Sequence, residues 1–120
     1  MSEADRTKGI PPEHLPAAVS NYLSAHRVND VDKAITSFTA DAEVTDDGRT
    51  HNGIDEIRTW LAHAATEYTY STELRAVTQI SDLHYDVVQH LEGNFPGGVI
   101  DLHYRFVLRD ASIARLAIEP

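Results

Sequence analysis

The chain contains no cysteine. Disulfides and thiolate metal sites are therefore excluded, and the composition fits a reducing cytoplasm. Positive charge is also scarce: ten Lys and Arg stand against nineteen Asp and Glu, for a formal net charge of −9. Those ten are scattered rather than clustered, which argues against nucleic acid, because phosphate binding needs grouped cations. A neutral, cationic or small organic partner fits better. No apolar run approaches the ~20 residues of a membrane span. The opening MSEADRTKGIPPEH lacks the apolar centre of a secretory signal. No glycine-rich phosphate loop is present, since GNFPGG lies between strand-like segments rather than before a helix. No two of the histidines have the i, i+4 or His-x-His spacing of a metal pair. Neither a metal nor a cofactor is expected.

The 120 residues, 42% hydrophobic and 24% charged, suit one globular domain with a single core. Residues 1–14 read as a flexible polar arm stiffened at its end by Pro11 and Pro12, and residues 15–120 as the domain. A first helix opens near Pro16, where a missing N–H costs nothing. Leu15, Ala18, Val19, Tyr22, Leu23 and His26 recur at helical spacing on one face. Asn29 or Asp30 caps a short second helix carrying Val31, Ala34, Ile35 and Phe38. Ala42, Val44 and Asp46 alternate as a strand, and Asp47-Gly48 marks a tight turn. Arg49 to His51 is a brief return strand. Asn52 then caps a third helix with Ile54, Ile57, Trp60, Leu61, Ala64 and Ala65 on its apolar face.

From Tyr68 onward the period becomes two. Tyr68, Tyr70, Thr72, Leu74, Ala76, Thr78 and Ile80 form one strand face. Tyr85, Val87, Gln89 and Leu91 form the next. Ile100, Leu102, Tyr104, Phe106 and Leu108 form the third, and Ile113 to Ile118 the last. These faces are expected to look inward, leaving Val77, Val88, Val99 and Val107 outside. Helices followed by a strand meander make an α+β fold: three N-terminal helices packed on a curved antiparallel sheet, a cone with an open mouth.

This order, with the Tyr22 helix, FTADAEVTDDG (38–48), HNGIDEIRTW (51–60) and GNFPGGVIDLHYRFVLRDASIARLAI (93–118), resembles the nuclear transport factor 2-like, or cystatin-like, superfamily. The SnoaL-like branch is the most similar, with the steroid isomerases as relatives. The resemblance implies a cone with a pocket and a homodimer through the outer sheet face. It does not imply one activity, because the fold hosts isomerases, dehydratases, cyclases, epoxide hydrolases and non-enzymatic binding domains. Among the steroid isomerases, an Asp at the position of Asp46 is the general base and a Tyr at the position of Tyr22 donates to the enolate oxygen. The second oxyanion donor of that family falls near Leu102 or Tyr104, and neither is an acid. A supporting Tyr is replaced by Leu61. Half of the isomerase apparatus is missing.

The candidate catalytic residues are therefore Asp46 and Tyr22. An acid on an apolar strand face beneath helices loses hydration, which raises its pKa toward working pH. The alternative is a solvated carboxylate in the Asp46-Asp47-Gly48 turn, and for Tyr22 a core tyrosine. Val19, His26, Val44, Trp60, Leu61, Tyr70, Leu102, Tyr104 and Phe106 are expected to line the pocket. Two functions stand open. One is a cofactor-independent lyase, isomerase or cyclase acting on a small apolar carbonyl compound. The other is a module of the same fold that binds a ligand or protein without turnover.

Overall fold

The computed structural model describes residues 8–120. Strand β1 (Lys8–Gly9) and a 3-10 turn over Pro12–His14 lead into helix α1 (Ala17–Arg27). Helix α2 (Val31–Ile35), strands β2 (Phe38–Asp46) and β3 (Arg49–Asn52) and helix α3 (Gly53–Glu67) follow. Four long strands close the chain: β4 (Tyr70–Ser81), β5 (His84–Gly93), β6 (Val99–Arg109) and β7 (Ser112–Glu119). The fold is α+β, with three helices on one face of a curved mixed sheet of order β1-β4-β5-β6-β7-β2-β3. Every neighbouring pair of strands is antiparallel except β2 and β7, which run parallel.

Of the arm expected over residues 1–14, the first seven residues lie outside the described ones. The remainder is tied to the sheet: Lys8 and Gly9 pair with Gln79 and Thr78, and the Ile10 amide donates to the Val77 carbonyl at 3.0 Å.

The helix ends follow local chemistry. Val19 and Ser20 amides donate to the Pro16 carbonyl, so α1 starts just after the proline. Asn29, at φ 56°, stops α1, and the Asp30 carboxylate caps α2 by accepting from the Lys33 amide at 3.1 Å. Asn52 occupies the cap position of α3, but its side chain does not cap. Glu56 instead reaches back to accept from the Asn52 amide at 2.9 Å, one half of a capping box. Asp47 and Gly48 both have positive φ, 53° and 75°. This makes the two-residue turn that matches the twist of a hairpin, and it sets Asp46 opposite Arg49.

The core lies between the helices and the inner sheet face. Val19, Tyr22, Val44, Ile57, Phe106 and Leu116 are at its centre. Strands β5 and β6 present the inward faces expected from their alternation. Strand β4 does not. A register shift between Leu74 and Ala76 leaves Arg75 without an opposite residue. One extra residue flips the side chains that follow to the other face, and a second shift between Gln79 and Ser81 leaves Ile80 without an opposite residue as well. Val77 is thus buried in the core, whereas Ile80 is exposed. This reverses the sides expected for both.

Candidate active site

Asp46 is the last residue of β2. It shares the strand face of the buried Ala42 and Val44, and it is only half-buried because the strand ends there. Its other strand neighbour is Ile118 of β7. Trp60, on the third turn of α3, crosses above and donates from Nε1 to Asp46 Oδ2 at 3.0 Å. Two influences on the Asp46 carboxyl oppose each other. Burial raises its pKa and is the larger; the Trp60 hydrogen bond lowers it. Asp47 and Glu67 add further upward pressure by repulsion, His51 acts against them, and the net shift is upward.

Asp46 lies on the wall of a cavity of about 560 Å³, within the size range of small-molecule pockets. The wall is largely aromatic, with Trp60, Tyr68, Tyr70, Phe95 and Tyr104. His26, Leu102 and Ile118 add to it. His26, on the last turn of α1, has its Nε2 at 3.3 Å from the Tyr70 hydroxyl. Its ring stacks on Tyr22, with centroids 5.6 Å apart and an interplanar angle of 6°. Burial lowers the His26 pKa, so its imidazole is neutral at pH 7. Tyr104, 2% exposed, has its phenol pKa raised first by burial and then by Tyr70 and Asp46, so it keeps its proton. Gln89 acts the other way on the phenol, by a smaller amount.

The structure separates the sequence-derived candidates into two groups. Asp46, His26, Trp60, Tyr70, Leu102 and Tyr104 share the cavity wall. Val19, Val44 and Phe106 are fully buried in the core and do not line it, because they belong to the closed end of the cone, where the side chains meet. Leu61 faces a minor cleft beside His26 and Ala34 rather than the main cavity. Tyr22 is also absent from the wall. It has no exposed surface, packs edge-on against Phe38 and Phe106, and its hydroxyl finds no hydrogen-bond partner among the described residues. Burial raises its pKa strongly, and Tyr104, Tyr70 and Asp46 add to the rise.

Other wall residues were not anticipated. Ala117, Ile118 and Glu119 reach the cavity because β7 pairs with β2 in parallel, setting Ala117 beside Thr45 and Ile118 beside Asp46. Phe95 reaches it from the turn after β5 and packs edge-on against Tyr68 and Tyr70. Gln89 is 4% exposed, with its Nε2 unpartnered, on the inner face of β5. A glutamine among the inward-facing Tyr85, Val87 and Leu91 was the available signal for a buried polar group. Among the described residues, no group of three His, Asp or Glu is placed to hold a metal ion.

Comparison with known proteins agrees with the architecture. No family model matches the chain, and no curated protein does. Solved structures do. A putative polyketide cyclase from Sinorhizobium meliloti is 32% identical, with a TM-score of 0.85 over 92% of this chain and 100% of that one. A hypothetical protein with a ketosteroid isomerase-like fold from Catenulispora acidiphila, in complex with trimethylamine, is 17% identical, with a TM-score of 0.76 over 88% and 85%. The epoxide hydrolase/cyclase-like enzyme SalBIII, described in pyran ring formation in salinomycin, is 20% identical, with a TM-score of 0.72 over 84% and 85%. The last two likenesses speak to the fold alone; the first is close enough to place the family. The chain belongs to the SnoaL-like branch of the nuclear transport factor 2-like superfamily.

Proposed function

We propose that this protein binds a small, mainly apolar carbonyl compound in its cavity and moves a proton on it without a cofactor, as a lyase, isomerase or cyclase. The observation that carries the reading is Asp46: a carboxylate on the wall of an aromatic cavity, oriented by one hydrogen bond and desolvated enough to raise its pKa. Asp46 removes the proton from the carbon beside the carbonyl. Negative charge then develops on the carbonyl oxygen and needs a donor. Tyr104 supplies it, with the Tyr70–His26 pair as a second source on the same wall. Tyr22, expected in that role from its position on α1, is a donor only to a ligand oxygen that reaches past the cavity wall to its unpartnered hydroxyl. The similarity to a putative polyketide cyclase supports this reaction class.

The test separates binding from turnover. A thermal-shift screen of aryl ketones identifies binders, which raise the Tm by mass action. A bound ketone is then followed by NMR in D2O for exchange of its α-hydrogens. Exchange above the solvent rate, lost in Asp46→Asn with binding retained, supports the proposal. Binding with exchange at the solvent rate in both proteins sinks it and leaves the non-catalytic module. The unpartnered Tyr22 hydroxyl and the missing second acid favour that second reading.

We also propose a homodimer through the outer face of β5 and β6. Val88, Val107 and the exposed Val99 lie among charged neighbours there, a mixed surface suited to an isologous contact. Small-angle scattering that gives a monomer mass at all concentrations would overturn it. A cytoplasmic location stays part of the proposal. The structure adds only that no helix is long and apolar enough to cross a membrane.

A further inference from the structure

The charges around the cavity are strongly one-sided. Asp46, Asp47, Glu67 and Glu119 all line it, and no lysine or arginine does. The one basic group on the wall, His26, is kept neutral by burial. Not all four acids count equally. Glu119 is paired with Arg105, which offsets its charge. Glu67 pairs only with His63, at 2.7 Å and exposed. Asp47 has no ion-pair partner among the described residues, and Asp46 has only the uncharged Trp60 donor. Three carboxylates therefore face the cavity without a fixed cation.

Beside them stands the aromatic wall. Trp60 is in contact with Asp46, and Tyr68 is the residue after Glu67 at the end of α3. Ring faces attract cations, and do so more strongly where water is excluded. An anionic ligand would meet repulsion from all three carboxylates, strongest at the half-buried Asp46 and weaker at the exposed Asp47 and Glu67. A cation would meet both sources of attraction. At Asp46 burial is the main cause of the raised pKa; Asp47 and Glu67 add repulsion, and His51 opposes them.

We propose that the ligand of this cavity carries a permanently charged or protonated ammonium group, seated between Asp47 and Glu67 at the mouth and the aromatic wall. This rests on the cavity being the binding site, and it adds a charge requirement to the carbonyl compound proposed above. A seated ammonium offsets the repulsion on Asp46 and so favours its ionised, proton-accepting form. The ligand's own charge thereby prepares the base.

The chain has one tryptophan, and it is on the wall, so Trp60 fluorescence reports binding directly. The probes are three 2-naphthyl ketones that differ only at the end of the acyl chain: trimethylammonium, its uncharged isostere tert-butyl, or carboxylate. The expected order is ammonium at least tenfold tighter than tert-butyl, and carboxylate weaker than both. In Asp47→Asn/Glu67→Gln the ammonium advantage falls to within about threefold, while the tert-butyl ketone's Kd changes little. Asparagine tolerates the positive φ of position 47, and Glu67 is exposed, so the variant keeps the fold; far-UV circular dichroism checks this.

If the ammonium and tert-butyl ketones bind equally, the inference falls and the cavity reading stands. An ammonium advantage that persists in the double variant overturns the assignment to Asp47 and Glu67. If none of the three quenches Trp60, the inference and the cavity reading fall together.

Discussion

The two faces of this sheet treat the same residue types in opposite ways. On the inner side, His26 lies against Tyr22, Tyr70 and Tyr104, and burial pushes its pKa down. On the outer side, His90 is held between Asp101 at 2.6 Å and Glu92 at 2.9 Å, and these hydrogen bonds push its pKa up. The carboxylates follow the same division. Asp46 inside meets an indole N–H and repulsion from its neighbours. Asp86 outside meets His103 at 2.9 Å. The outer face neutralises its charges in pairs across neighbouring strands. The inner face leaves its polar groups under-satisfied. Unmet polar groups around a cavity are the usual mark of a binding site rather than of a stability device.

The largest expected effect breaks the comparison at Asp46. Asp46→Asn should lower the α-hydrogen exchange rate of a bound ketone by roughly 10²–10⁴-fold, the usual contribution of a general base. Asp101→Asn on the outer face should leave that rate unchanged. NMR exchange on both variants checks the pair.

Next comes Gly93, the last residue of β5, opposite Tyr70 of the wall. A Cβ there would sit 2.3 Å from the Thr69 carbonyl oxygen and 2.5 Å from Tyr70 Cβ. Gly93→Ala should therefore cost about 1–3 kcal/mol, the usual cost of forced overpacking, measured by urea unfolding. It should also weaken ketone binding, because Tyr70 is part of the wall.

The histidines sharpen the comparison through pH. His26 has a folded pKa below its ordinary 6.5, so it binds fewer protons folded than unfolded just below that value. Its contribution to stability is present above pH 6.5 and is lost as pH falls through its folded value. His90 has a folded pKa above 6.5. Its contribution is present below pH 6.5 and is lost as pH rises through its folded value. Histidine NMR titrations should place the two midpoints on opposite sides of 6.5. His26→Asn should flatten the acid side of the stability profile, and His90→Asn the alkaline side.

The smallest effect is expected at Tyr22. Its buried hydroxyl without a partner costs stability, so Tyr22→Phe should leave stability unchanged or raise it by about 1 kcal/mol. A loss of more than that would show that the hydroxyl has a partner in solution.

How far the fold and site were legible depended on whether the deciding contacts were local. The hairpin that carries Asp46 was readable, because Asp47-Gly48 fixes its turn within four residues. The helix faces and the inward faces of β5 and β6 were readable from their periods. Strand β4 was not, because the bulges at Arg75 and Ile80 have no composition signal of their own, and the first inverts the residues between them. Trp60, Tyr70 and Tyr104, placed on inward faces by their periods, share the cavity wall with Asp46, which face and resemblance together had singled out. Tyr22 was placed on the correct helix face, but position along the cone decides between core and wall. Packing depth of that kind is a property of the closed fold, not of any one segment. The β7 contribution was invisible for a related reason: parallel pairing with β2 joins segments far apart in the chain.

That parallel pairing also bears on how the cavity comes to be assembled. Asp46 has its strand partner, Ile118, close to the last residue of the chain. The hairpin β2–β3 can form early from local contacts. It gains its inner neighbour only when β7 docks beside it, and long-range strand pairing is the slow part of folding. During synthesis the carboxylate is therefore made long before the wall that desolvates it. A growing chain holds an exposed aspartate there, and its carboxyl gains its full burial, the main cause of its raised pKa, only once β7 is in place.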